Sequence, residues 1–352
     1  MSVATAAGGP VSVATAAGGP VSVATAAGEP VQAGRGWAWL VLLGLAMIFG
    51  GLLAWLVAAT RVVLPYDEAF LGLDHDALPA VNPRLLAFMA HDRVTLAGTM
   101  VSIGVLYAQL AFWGVRAGAH WAWLTLATSA GVGFASFFLF LGFGYFDPLH
   151  AAVSVVLFGL FVLGLRGRPD GLGYTQVDLH NDRRWRLGQW GQLVFVSLGV
   201  GLVLAGLGIA LVGITGVLVP EDVRFLGSPG AGLSAANPRL LPLIAHDRAG
   251  FGGALVSDGL GVLLVSLWGF RPAARWVWWT LLGAGAPGFV AALGVHAAVG
   301  YLDAGHLGPA LVGVTLFALG LGLSYPYLCA PASARPFAER ARSPQSASAQ
   351  VG

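Results

Sequence analysis

The sequence predicts an all-α integral membrane protein, a helical bundle of eight transmembrane helices built as two parallel four-helix repeats. Three observations carry that expectation. Hydrophobic residues make up 57% of the chain and charged residues 10%, and the mean hydropathy of +0.78 lies well outside the range of an ordinary soluble domain. The apolar residues gather into eight stretches, most of them long enough to cross a bilayer. Finally, a polar motif occurs twice: Asn82-Pro83-Arg84-Leu85-Leu86 with Ala90-His91-Asp92-Arg93 returns as Asn237-Pro238-Arg239-Leu240-Leu241 with Ala245-His246-Asp247-Arg248. The internal spacing is the same, and the same offset pairs Phe70-Leu71-Gly72 with Phe225-Leu226-Gly227.

Taken in order, residues 1–34 form a tail dominated by the repeated decapeptide Ser-Val-Ala-Thr-Ala-Ala-Gly-Gly-Pro-Val. It lacks the basic start and apolar run of a signal peptide and reads as disordered. A first membrane repeat over 35–166 carries spans at about 37–63, 94–115, 121–144 and 149–165. A cytoplasmic linker over 167–188 leads to a second repeat over 189–328, with spans at about 190–219, 249–270, 276–299 and 307–327. A disordered cytoplasmic tail over 329–352 closes the chain. Because each repeat holds an even number of spans, both copies enter the bilayer in the same sense, as parallel repeats related by an axis along the membrane normal.

Orientation follows from the arginines. With both termini in the cytoplasm, the inner segments hold Arg35, Arg116, Arg166, Arg168, Arg183, Arg184, Arg186, Arg271, Arg275, Arg335, Arg340 and Arg342, and the outer segments hold six. Tryptophans such as Trp37, Trp121, Trp185, Trp268 and Trp276 fall near the same inner ends as an interfacial belt. A net charge of +2 points to no nucleic-acid partner, and Cys329, the sole cysteine, rules out an intramolecular disulfide.

Two long outer loops, about 64–93 and 220–248, carry the repeated motif. Asn before Pro is a helix start, since Asn caps free amides and Pro suits the first helical position. The residues that follow predict a short amphipathic helix on the outer surface, leading into spans two and six. A second pair of motifs, Gly144-Tyr145-Phe146-Asp147-Pro148-Leu149-His150 and Gly300-Tyr301-Leu302-Asp303-Ala304-Gly305-His306, sits at the outer ends of the third and fourth spans of each half.

These polar groups admit several readings. In the plainest, Asp92 and Asp247 mark helix boundaries, Asp147 and Asp303 cap the next span, and Arg93 and Arg248 meet headgroups or carboxylates. A sharper one brings His91, Asp147 and His150 together with Asp92, and His246, Asp247, Asp303 and His306 likewise, as a site for a metal ion or for proton transfer. In a third, Arg84, Arg93, Arg239 and Arg248 hold an anion or a lipid headgroup. Asp258 stands apart: it lies about 15 Å into span six, where an ionisable group is a functional candidate, and His296 in span seven could join it in a proton path or polar pocket.

The segment Leu64-Pro65-Tyr66-Asp67-Glu68-Ala69-Phe70-Leu71-Gly72, together with the motifs above, resembles a family of bacterial multi-pass membrane proteins over most of residues 37–330. Some similar chains carry the label dihydroorotate dehydrogenase, and this chain has no stretch able to build that soluble flavin barrel. The resemblance implies a bacterial cytoplasmic membrane and a membrane-associated, quinone-linked dehydrogenase as partner. Three functions are expected from different classes: a binding or redox-accessory module with an outer-face His/Asp site, a transporter rocking its halves about Asp258, and a structural or assembly protein.

Overall fold

The computed structural model describes residues 36–169, Asp178 and 181–331. The N-terminal tail, much of the expected linker and all but the start of the C-terminal tail lie outside the described residues. Among the described residues, all regular structure is helical, and eight helices are long and apolar enough to cross a membrane. The chain is a multi-pass membrane protein.

Helix α1 (Gly36–Thr60) is followed by two short helices, α2 (Pro65–Leu71) and α3 (Leu78–Val81), and by the spans α4 (Leu85–Gln109), α5 (His120–Phe140) and α6 (Pro148–Leu165). Then come α7 (Arg183–Ile214), the short α8 (Pro220–Leu226) and α9 (Gly230–Ala236), and the spans α10 (Leu240–Gly269), α11 (Arg275–Val299) and α12 (Ala304–Leu328). Helix α4 runs on through a π turn over Leu110–Gly114. Helix α7 begins at Arg183, inside the segment expected to be linker, with the Asp182 side chain accepting from the Trp185 amide.

The apolar pattern sorts the helices by depth. In α4 and α10 most of the central window is buried, whereas α1, α6, α7, α11 and α12 bury less than a third of theirs. Side chains such as Phe49, Leu139 and Val290 are more than two thirds exposed, as lipid-facing residues are. Helices α4 and α10 pack on each other; α4 also lies against α1 and α11, and α10 against α7 and α5. Each central helix is therefore flanked by one span from each half of the chain. Close approach needs small residues: a Cβ on Gly44 of α1 would lie 2.6 Å from the Gly104 carbonyl of α4, and one on Gly104 would lie 2.7 Å from that of Gly44.

The end of the bundle that carries the repeated motifs, here the motif end, is tied together by polar groups that cross between the halves. Asp67 sits at the third position of α2, where its carboxylate accepts from the Leu64 amide, and Asp222 does the same for Val219 in α8. The Arg93 guanidinium donates to Asp67, to the Val62 carbonyl and, at 2.8 Å, to Asp247 of the other half. Arg248 repeats the pattern toward Asp222, the Val217 carbonyl and, at 2.9 Å, Asp92. Tyr145 and Tyr301 close the two networks by donating to Asp67 and Asp222. Val62 and Val217 both hold φ 62°, a strained value for a β-branched residue, in the turns whose carbonyls meet these arginines.

The expected surface helix after Asn-Pro is corrected by this geometry. Leu85 and Leu240 open the spans themselves, so His91-Asp92-Arg93 and His246-Asp247-Arg248 lie two turns inside continuous helices. Leu85, Phe88 and Met89, which looked like one face of a surface helix, are buried in a cluster formed with Leu226, Phe225 and Tyr301. Nor is Asp92 a helix cap, since its partner is Arg248. Asn82 does take the Arg84 amide, and its side-chain NH2 donates to the Leu226 carbonyl, as that of Asn237 donates to Leu71.

Replacing Arg248 by Met leaves the carboxylates of Asp92 and Asp222 buried without their cation, a change of about 3–5 kcal/mol for a buried pair. Chemical unfolding in detergent is expected to show a loss on that scale, and a loss under about 1 kcal/mol would mean that the network is not what holds the motif end.

Candidate functional site

The structure brings the histidine of each His-Asp-Arg motif to histidines of the other half. His91 of α4 meets His296 of α11 and His306 of α12, with ring centres 4.4 Å and 5.1 Å away, and one nitrogen from each of the three lies within 4.8 Å of the others. His91 and His296 are buried and His306 is half-buried. His150 instead approaches His246, with ring centres 5.6 Å apart. The expected grouping of His91 with Asp147 and His150 is thereby corrected. Because α4 packs against α11, the motif histidine of one half is delivered to the α11–α12 corner of the other.

Each ring in the first cluster is oriented from behind. The Nδ1 of His91 lies 2.9 Å from the Asp92 carboxylate, which itself accepts from Arg248. The Nδ1 of His296 donates to the Ala292 carbonyl at 2.6 Å. With both Nδ1 atoms engaged as donors, the two Nε2 atoms face each other as lone pairs at 3.2 Å. Two such nitrogens repel unless a proton or a metal ion lies between them. His306 stacks on Tyr301, ring centres 4.2 Å apart. Burial, and then the Asp222 charge, push the Tyr301 hydroxyl well above its ordinary pKa and keep it a neutral donor.

The corresponding corner of the other half is not equivalent. Leu141 stands where the repeat offset would place a counterpart of His296, Phe137 packs on His150 with ring centres 5.1 Å apart, and the Nδ1 of His246 has no hydrogen-bond partner among the described residues. The sequence alone could show that His296 is confined to one copy. It could not show that His296 would meet His91.

Asp147 and Asp303 cap α6 and α12, accepting from His150 and from Gly305 and His306. Asp303 also accepts from Arg224, which in turn bonds Glu221 at the rim. The hydrogen bond from Arg224, ahead of the cap amides, holds the Asp303 carboxyl below its ordinary range. Of the arginines, Arg93 and Arg248 are paired in the crossed networks, while Arg84 and Arg239 donate to the Phe225 and Phe70 carbonyls and lie over those rings. Arg93 and Arg248 are thus turned to carboxylates and away from an anion, and Arg84 and Arg239 each join the halves through one donor.

Beneath the histidines a cavity of about 490 Å³ runs between α4, α7, α10, α11 and α12, from Glu221 and His306 at its mouth to Asp258 and Phe195. Asp258 and His296 line the same cavity, separated by most of its depth. Asp67, Asp222, Tyr145, Tyr301 and Glu221 were not singled out by sequence reasoning. The signal for the first four was present, since each pair recurs at the motif spacing beside residues that were noticed. Comparison with protein-family models, with curated proteins and with solved structures finds no match to this chain.

For Asp303 the sign of the pH effect follows from its depressed pKa. Its contribution is complete above the ordinary carboxylate value near 3.8 and disappears as pH falls through the lower folded value. Acid unfolding of Asp303→Asn should therefore be less steep than that of the parent below about pH 4, with unchanged slope at neutral pH. An identical acid limb in the two proteins would remove Asp303 from the cap.

Proposed function

We propose that this chain is a membrane-embedded binding or redox-accessory module in which His91, His296 and His306 hold a divalent transition metal at the mouth of the cavity. The observation that carries the reading is the convergence of three imidazole nitrogens within 4.8 Å. Two nitrogens bound to one tetrahedral zinc at about 2.0–2.1 Å lie roughly 3.3 Å apart, close to the 3.2 Å between the Nε2 atoms of His91 and His296. The contacts of the two Nδ1 atoms with Asp92 and with a backbone carbonyl are the outer-shell partners that metal-bound histidines use to fix their tautomer. Three neutral imidazoles suit zinc or iron and leave a coordination position for water or a small polar ligand.

Electrostatics support the same reading. The crossed networks set four carboxylates, Asp67, Asp92, Asp222 and Asp247, against the two guanidiniums of Arg93 and Arg248. Half of that surplus, in the network of Asp92 and Asp222 with Arg248, reaches His91 through the Asp92 carboxylate and favours a cation there.

The proposal takes the chain as a tandem duplication, with parallel halves in the cytoplasmic membrane of a bacterium, both termini inside and the metal site on the outer face. Reciprocal contacts such as Arg93 with Asp247 and Arg248 with Asp92 support the repeat. The resemblance of the motif segments to bacterial multi-pass proteins supports the location and a membrane-associated dehydrogenase as partner. A transporter is the second reading, favoured by Asp258, which lines the cavity and whose Oδ1 has no hydrogen-bond partner among the described residues.

Metal analysis of the detergent-purified protein is expected to give one zinc or iron per chain, lost in His296→Ala and His306→Ala and retained in His150→Ala. A metal-free parent that stays metal-free after incubation with zinc or ferrous iron would rule the reading out.

A further inference from the structure

Below the histidines, the face of α4 that lines the cavity carries Thr95, Thr99 and Ser102, which follow His91 at helical spacing as one stripe. The Thr95 hydroxyl donates to the His91 carbonyl at 2.7 Å and that of Thr99 to the Thr95 carbonyl at 3.0 Å, so each oxygen keeps its acceptor capacity. At 1.5 Å per residue the stripe descends about 16 Å. It ends where Ser102 Oγ and Asp258 Oδ1, both buried and both lining the cavity, have no hydrogen-bond partner among the described residues. The opposite wall is apolar and includes Phe195, Leu202 and Phe317.

The duplication alone does not explain this line. At the repeat offset, Thr95 and Thr99 correspond to Gly250 and Ala254, and Asp258 to Ile103. Ser102 corresponds to Ser257, whose hydroxyl is occupied by Ser129 and Tyr107. Every group that makes the stripe polar is missing or used up on the other side. A buried carboxyl without a partner is costly. The cavity has room for several waters, each of which takes up about 30 Å³ in the liquid.

We infer that the stripe guides a file of water from the histidine cluster to Asp258, and that Asp258 takes up and releases protons through it from the motif end. Each water in the file accepts one proton and passes one on, held in line by the threonine oxygens as acceptors, and the last transfer converts the Asp258 carboxylate into the neutral acid. Few ionisable groups face Asp258. Helix α4 brings Tyr107, while α7 brings none to the cavity, and α11 and α12 bring none below His296 and His306. Asp92, Glu221 and Arg248 lie at the mouth with the histidines. The path stands whether or not a metal occupies the histidines.

Infrared spectroscopy of the full chain in lipid nanodiscs tests this through the carboxylic-acid carbonyl band, followed as pH is varied and on transfer to D2O. One band that is absent in Asp258→Asn should shift promptly in D2O. The shift should be at least about tenfold slower in Thr99→Val/Ser102→Ala, the scale expected for losing a hydrogen-bonded relay. Ala292→Phe, which introduces at the repeat-related position the ring that Phe137 supplies in the other half, should slow it as well without touching the stripe. No Asp258-dependent band at any pH where the protein stays folded would overturn the inference. So would a band that does not shift in D2O, an exchange rate unaltered in both variants, or an apolar molecule that co-purifies and fills the cavity.

Discussion

The structure depends on an exchange of charge: the arginine that ends each His-Asp-Arg motif pairs with the aspartate of the opposite motif. A buried ion pair is weak evidence of net stability, because removing two charges from water costs about as much as their attraction returns. Its value here is register. Arg93 reaches Asp247 only if α4 and α10 are set at one relative height, and the reciprocal pair fixes the same height a second time. The Asn82 and Asn237 amides, each donating to a carbonyl at the end of the other half's short helix, repeat the constraint outside the spans. Apolar helices can slide past one another in lipid with little change in buried surface. Charged groups whose alternative is an unpaired state cannot.

That register is also what builds the candidate site. Since α4 lies against α11, setting its height sets the height of His91 beside His296 and His306. Asp92 belongs to both systems: one carboxylate oxygen accepts from Arg248 and the other meets His91. The group that locks the halves is therefore the one that orients the ring. A change at Asp92 would disturb assembly and site together, so His296 and His306, which take no part in the lock, report on the site more cleanly.

Much of the fold was legible in the sequence, because a bilayer leaves few options. Apolar segments of the required length must be helices, and eight were counted. The repeat offset flagged the residues that matter at the motif end. Their partners were hidden, for a physical reason: a duplicated motif shows which residues are held in common but not whether each contacts its own half or the other. Reading the contacts within a half placed His91 with His150, and the packing of α4 on α11 and of α10 on α5 reversed that pairing. The surface helix failed similarly. Leu85, Phe88 and Met89 followed by charged residues look amphipathic to a periodicity argument, and only the pairing of Asp92 and Arg93 with Arg248 and Asp247 makes burial of the whole segment affordable.

The departures from symmetry bear on function more than the symmetry does. Crossed ion pairs, capped spans and the Tyr145 and Tyr301 bonds occur on both sides and are accounted for by holding the bundle together. His296, Asp258, Thr95, Thr99 and Glu221 occur on one side, and all of them line a single cavity. On the other side Phe137 and Leu141 replace the small and polar residues, and Ser257 is bound up with Tyr107 and Ser129. A structural role needs only the shared set. Retaining on one side of the bundle an ionisable residue deep in a span, a third imidazole and a line of hydroxyls between them carries a cost in buried polarity that packing does not offset. Each side of the bundle is built from both halves, and the side where α4 lies against α11 alone carries these groups.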